Sequence, residues 1–192
     1  MKKTKQPLVI TCMGVDGAGQ TTLSKKIKKF FSHSKYFHLK PYILFQDRRT
    51  IIKKPHRHKK SSSFVSMLRL LSWLISYKVF FFKNKNIKFC VFDRYAHDIL
   101  IDPLRYKHNL PESLTNIILS FFPVPDLWIF LKPPFKIIKL RKAELSDNEL
   151  KRQVKEYSIF FKNKKNVLLL NKNIKNKQLT SIIIKKINLI AK

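Results

Sequence analysis

The sequence predicts a parallel α/β sheet with helices on both faces. Short apolar runs that read as strands alternate along the chain with helical patterns, the signature of parallel strands joined by crossover helices. The first apolar run ends in the glycine-rich segment Gly14-Val15-Asp16-Gly17-Ala18-Gly19-Gln20-Thr21-Thr22, which turns the chain from strand to helix. The chain has 192 residues, 44% hydrophobic and 12% aromatic. That suits one domain over 1–192 with a sizeable core and excludes bulk disorder.

Leu8–Met13 is apolar, partly β-branched and ended by glycine, so it reads as a buried first strand. Residues 21–31 read as a helix, with Leu23, Ile27, Phe30 and Phe31 on one side and lysines opposite. Residues 41–46 are the expected second strand. The basic stretch 47–63, with Pro55, His56 and His58, reads as a mobile insertion. Residues 64–82 read as a mostly buried helix. Its Ser66, Arg69, Ser72 and Ser76 form a narrow polar edge expected to face water or a cleft. Residues 87–92 make the third strand, which runs into Asp93-Arg94-Tyr95. Residues 111–122 follow as a helix, 126–131 as the fourth strand and 134–142 as a helix. A charged connection, another helix to about Lys162, the strand Val167–Leu170 and a helix over 179–190 complete the chain.

Lys and Arg number 41 against 11 Asp and Glu, a formal net charge of +30. Such a charge attracts polyanions: nucleotide phosphates, nucleic acid or anionic lipid. Heavy use of Lys, Asn, Ile and Phe together also fits the codon bias of an AT-rich genome, and both readings stand at this stage. Cys12 and Cys90 lie in apolar strands and make no disulfide framework, so a reducing, cytoplasmic setting is expected. The basic start Met1-Lys2-Lys3-Thr4-Lys5 lacks the long apolar run and cleavage site of a signal peptide. Arg69 and Lys78 argue against a membrane span over 64–82.

The segment from Gly14 to Thr22 has the strand-to-helix context of a phosphate loop. Glycines let successive backbone N–H groups point at phosphate oxygens, and the helix N-terminus adds its positive end. All three of the chain's glycines, Gly14, Gly17 and Gly19, lie here. Thr21 stands where a hydroxyl would hold Mg²⁺. The pattern is G-x-x-x-x-G-K-[ST], and Gln20 replaces its lysine. A glutamine amide donates hydrogen bonds but carries no charge. Either turnover is weakened, another cation reaches in, or nucleotide is bound without turnover.

With Phe92-Asp93-Arg94-Tyr95 closing the third strand and Pro125-Asp126-Leu127 opening the fourth, the chain resembles the thymidylate kinase family of P-loop nucleoside monophosphate kinases. The run Asp93-Arg94-Tyr95-x-x-Asp98-x-Leu100-x-Asp102-Pro103-x-Arg105-Tyr106 is closer to thymidylate kinase-like proteins of bacterial surface-polysaccharide gene clusters. So is Arg141-Lys142-x-Glu144 followed by Gln153 and Tyr157. The resemblance implies a three-layer P-loop sandwich of five parallel strands in the order 2-3-1-4-5. It implies ATP and Mg²⁺ as cofactors, with the glycine loop, Asp93 and the lid converging at the carboxyl ends of the strands.

The resemblance also assigns roles by position. Gly14, Val15, Asp16, Gly17, Ala18, Gly19, Gln20, Thr21 and Thr22 would bind the donor nucleotide, with Asn171 at its adenine. Thr21 and Asp93 would hold the metal. Asp16 would contact the acceptor sugar or help orient the metal, and Arg94 would grip the acceptor phosphate. Gly17 stands where one branch of the family carries an arginine, so Arg141 and Lys142 of a lid over 141–148, with Arg152 in reserve, would neutralise the migrating charge. Departures fall on the acceptor side. The long helix lacks the family's Ala-Asp-Arg signature, leaving Arg69 as a substitute, and Arg48 or Arg49 is not followed by the proline-glycine pair.

The first expectation is therefore phosphoryl transfer from ATP to a nucleoside monophosphate, thymidylate foremost. The alternatives are a same-fold kinase of a phosphorylated sugar or glycan precursor, and a nucleotide-binding protein with little turnover. A homodimer, and contact with nucleic acid or anionic membrane through the net charge, are secondary expectations.

Overall fold

The structure, a computed structural model, describes residues 6–41, 59–84, 86–141, 146–171 and 176–190, with backbone alone for 176–180. Five parallel strands form one sheet: β1 (Leu8–Met13), β2 (Ser34–His38), β3 (Phe89–Asp93), β4 (Leu127–Leu131) and β5 (Val167–Leu170), in the order β2-β3-β1-β4-β5. The helices are α1 (Gln20–Phe30), α2 (Ser63–Lys83), α3 (Asp98–Ile101), α4 (Glu112–Ser120), α5 (Phe135–Arg141), α6 (Asp147–Lys162) and α7 (Asn176–Ile190). Right-handed crossovers put α2, α4 and α6 on one face of the sheet and α1 with α7 on the other.

The central strand β1 is flanked by β3 and β4, so its residues are buried from Val9 onward. Its amino end is pinned to β4. The Val9 N–H donates to Asp126 Oδ2 (2.7 Å), and the Asp126 N–H donates to the Val9 carbonyl (2.9 Å). The aspartate of Pro125-Asp126-Leu127 thus does structural work far from the phosphate loop. Tyr95 is likewise a core residue, fully buried, its hydroxyl donating to the Pro123 carbonyl (2.6 Å). Cys12 and Cys90 are free, buried thiols, and burial pushes both up to about 12.

Two expectations need correction. The second strand is Ser34–His38 and not 41–46, of which only Pro41 lies among the described residues, outside any strand. β2 is an edge strand with one neighbour, so polar Ser34, Lys35 and His38 are tolerated in it, and the more apolar 41–46 misled. The polar edge of α2, expected to face water or a cleft, is partly turned inward, with Arg69 and Ser72 half-buried. Ser66 and Ser76 are buried, Ser66 Oγ accepts from the Asn109 N–H (3.1 Å), and Ser76 Oγ donates to the Ser72 carbonyl (2.8 Å). Small hydroxyls satisfied by nearby backbone let the helix lie close to its neighbours.

The insertion at 47–63 falls largely outside the described residues. Its end is anchored, with the Ser61 N–H on the Lys107 carbonyl (2.9 Å) and the Ser62 hydroxyl capping α2. Among core residues, His97 sits against Tyr95, Trp128 and Phe160 with no hydrogen-bond partner for Nδ1 among the described residues. Burial pulls its pKa down to about 3. The unfolded chain takes up a proton near pH 6.5 that the folded chain refuses, so stability falls as pH drops below that value. Between pH 7 and pH 5 this one group should remove about 2 kcal/mol. His97→Phe should flatten that part of the dependence, read as the change in Tm between the two pH values.

Candidate active site

The loop after β1 turns back at Gly14 because nothing larger fits. A Cβ there would lie 2.5 Å from the Leu131 carbonyl oxygen of β4. Gly19, the N-cap of α1, has φ 101°, a conformation that favours glycine. Gln20 begins the helix and is buried. Its Nε2 donates to the carbonyls of Gly14 and, at 2.9 Å, Val15. The amide therefore closes the loop on itself. Val15 and Ala18 are buried apolar residues that offer a ligand only their backbone, while Thr21 and Thr22 stand at the rim.

Thr21 Oγ1 donates to Asp93 Oδ2 at 2.6 Å, bringing together the hydroxyl and carboxylate expected at a metal. The same oxygen faces the Tyr36 hydroxyl (3.0 Å) and His38 Nδ1 (3.2 Å) from β2. Burial raises the Asp93 carboxyl, but the hydrogen bonds from His38, Thr21 and Tyr36 outweigh it and hold it below the usual carboxylate value. Among the described residues no three His, Cys, Asp or Glu side chains cluster as metal ligands. The Thr21–Asp93 pair instead offers hard oxygens of the kind that bind Mg²⁺ together with water and phosphate. Tyr36 and His38 were not legible as site residues, because their strand was placed too late in the sequence.

Arg94 is buried and held in the left-handed region, with φ 70°. Its guanidinium donates to Asp98 Oδ2, to Asp16 Oδ1 and, at 3.3 Å, to the Tyr157 hydroxyl. Arg105 donates to the other oxygen of Asp16 and lies 3.3 Å from Asp102. Tyr106 (2.7 Å) and Tyr157 both donate to Asp98. Burial disfavours the Arg94 charge, but Asp98, Tyr157, Tyr106 and Asp16 outweigh burial and hold its pKa well above the ordinary value. Three carboxylates and two guanidinia share the network, so Arg94 is fully engaged by protein groups. Arg105 and Tyr106 join it although only their place in the motif marked them. An Asp-x-x-Arg spacing at 102 and 105 was the available signal.

Arg141, the last residue of α5, reaches over the loop, its Nη1 3.5 Å from the Gly17 carbonyl. Lys142 lies outside the described residues. Arg152 is engaged elsewhere, paired with Glu149 and donating to the Ile101 carbonyl (3.0 Å). Gln153 is buried against Glu149 (3.0 Å), and Arg69 donates to the Tyr106 carbonyl and Ser61 Oγ. Asn171 sits on the rim of a cavity of about 640 Å³ between the ends of β4 and β5, α5 and α6, with Phe135, Ile138 and Val154 in its walls.

No protein-family model and no curated protein matches the chain. Solved structures do. A thymidylate kinase from Candida albicans superposes with a TM-score of 0.63 at 19% identity, over 97% of this chain and 94% of that one. A deoxyadenosine kinase from M. mycoides gives 0.64 at 17%, over 94% and 99%. A thymidylate kinase from Ehrlichia chaffeensis gives 0.61 at 13%, over 96% and 100%. The chain therefore has the fold of the thymidylate kinase-like nucleoside monophosphate kinases. The buried network makes a separate, measurable claim. Asp98→Ala strands Arg94 and two tyrosine hydroxyls and should cost about 3–5 kcal/mol in urea unfolding. Glu149→Ala, at a more exposed pair, should cost less than about 1 kcal/mol.

Proposed function

We propose that this protein is an ATP- and Mg²⁺-dependent phosphotransferase acting on a nucleoside monophosphate, with thymidylate the first acceptor to test, in the cytoplasm. The observation that carries the reading is the 2.6 Å hydrogen bond from Thr21 to Asp93 beside the glycine loop. It supports a Mg²⁺ site at the mouth of a phosphate cradle, on a sheet whose fold is that of nucleotide kinases. Bound there, Mg²⁺ would neutralise β- and γ-phosphate charge and align the transfer.

The chain's own groups divide the remaining work. Backbone N–H groups from Gly14 to Thr22 hold donor phosphates, and Thr21 and Asp93 present oxygens to the metal. Asn171 and the adjoining cavity suit the donor's base. Arg141 supplies charge over the loop, since Gln20 has none and donates both its contacts to loop carbonyls. Arg94 engages an acceptor phosphate once Asp16 turns aside, and Asp16 is then available to an acceptor hydroxyl.

The engagement of Arg94 by Asp16 and Asp98 favours a second reading, a nucleotide-binding protein with slow turnover. ADP formation from ATP·Mg²⁺ across a panel of nucleoside monophosphates and sugar phosphates separates the two. Gln20→Lys should raise kcat by about 10²-fold, with less change in ATP affinity, because the added cation matters most as charge migrates. Arg141→Ala should lower kcat by about 10²-fold. Tight ATP binding with no ADP from any acceptor, in the natural chain and in Gln20→Lys alike, would favour the binding protein. Turnover of sugar phosphates alone would reassign the acceptor.

A further inference from the structure

Two guanidinia meet on one carboxylate beside the glycine loop. Arg94 donates to Asp16 Oδ1 and Arg105 to Asp16 Oδ2, so the two arginines are spaced to hold two oxygens of a single anion. Each is also held from the buried side by an aspartate of its own. Asp98 accepts from Arg94, and Asp102 accepts from Arg105 Nε at 3.3 Å. The side chains of Asp98 and Asp102 are 0% and 4% exposed, whereas Asp16 at 12% and Arg105 at 17% keep a side to solvent. Asp16 is therefore the member that can move away and still leave each guanidinium a carboxylate.

The backbone fixes both arginines. Arg94 has φ 70°, a strained conformation that persists only where the surroundings dictate it. Its N–H donates to the Cys12 carbonyl (3.0 Å), which ties that backbone to the end of β1. Arg105 lies in the tight turn from Asp102 to His108. Its N–H donates to Asp102 Oδ1 (3.3 Å), and the His108 N–H donates to the Pro103 carbonyl (2.8 Å). The next residue, Tyr106, packs edge-on against Trp73, and its carbonyl accepts from Arg69. Guanidinia constrained in this way lose little freedom when an anion arrives.

We propose that Arg94 and Arg105 together clamp the phosphate of the acceptor, with Arg105 as the second arm, and that Asp16 occupies the clamp until the acceptor arrives. The clamp rests on the kinase reading of this site and narrows the acceptor to a phosphate monoester. Such an ester presents three terminal oxygens on one phosphorus and can take a guanidinium on each of two, as Asp16 does with its pair. An alcohol brings no charge to displace the carboxylate, so an unphosphorylated nucleoside or sugar leaves Asp16 in place. Arg105 is thus a specificity-determining residue for the phosphate.

Calorimetry with matched pairs tests the clamp: thymidylate against thymidine first, then other nucleoside monophosphates and sugar phosphates against their unphosphorylated parents. Arg105→Gln should weaken binding of the ester about tenfold or more and leave the parent within about twofold, with part of the loss recovered in Arg105→Lys. Asp16→Asn should move the ester-to-parent preference the other way. It removes the competing charge, while any hydroxyl contact is common to both members of a pair. Opposite signs from the two variants cannot come from a general loss of folding. Equal loss of ester and parent in Arg105→Gln, a preference that Asp16→Asn leaves unchanged or lowers, or no binding of any phosphate ester would overturn the proposal. Arg105-dependent ester binding without ADP formation would keep the clamp and remove the kinase reading. ADP formation with an acceptor KM that Arg105→Gln leaves unchanged would do the reverse.

Discussion

One oxygen of Asp93 gathers the site. Because β3 lies between β1 and β2, the carboxylate at its end meets Thr21 from the helix after β1 on one side and Tyr36 and His38 from β2 on the other. The register that pairs Cys12 with Asp93, and His38 with Asp93, makes this meeting unavoidable once the strands are ordered. A shift of one residue in β3 would turn the carboxylate to the other face of the sheet, and the hydroxyl of Thr21 would lose its partner. The strand order is therefore part of the chemistry, since it decides which loops share one buried charge.

The glycine loop was legible because its constraint is local. Close approach to Leu131 at Gly14 and a positive φ at Gly19 both demand glycine, and the chain has no other glycines. The strands β1, β3, β4 and β5 were legible because buried parallel strands read as continuous apolar runs. β2 was not, since an edge strand need be apolar on one side only and its polar residues imitate a loop. The inward turn of the α2 serines was hidden for a related reason. Periodicity shows that a helix has two faces but not which one meets the sheet, and hydroxyls bonded to their own backbone bury at little expense.

Partners within the site were the least legible part. That Arg94 would meet Asp98 follows from i,i+4 spacing, but Asp16 and Tyr157 reach it across 78 and 63 residues. The composition carried a hint nonetheless. Of 11 acidic residues, Asp16, Asp93, Asp98 and Asp102 lie at the loop and its adjoining network. Exposed positions hold lysines almost without opposition, whereas carboxylates concentrate where arginines must be buried or a cation could be bound. Among the described residues the positive excess thus lies at exposed positions, and the interior of the site is closer to balance.

That balance bears on Gln20. A lysine at this position would bring a cation to the carbonyls of Gly14 and Val15, which the Gln20 amide now holds. Glutamine leaves the cradle without it and spends both amide hydrogens on the carbonyls of Gly14 and Val15, which holds the loop in shape when no phosphate is bound. Under the kinase reading, the loop would then serve ground-state binding, and charge for the transition state would come from a side chain outside it. A Cβ at Gly19 would lie 3.8 Å from Arg141 Nη1, so Arg141 stands directly over the start of α1. It reaches there from the end of α5. Under the kinase reading, catalytic charge then depends on the position of α5 and not on the loop, so that binding of the donor and its activation become separable steps.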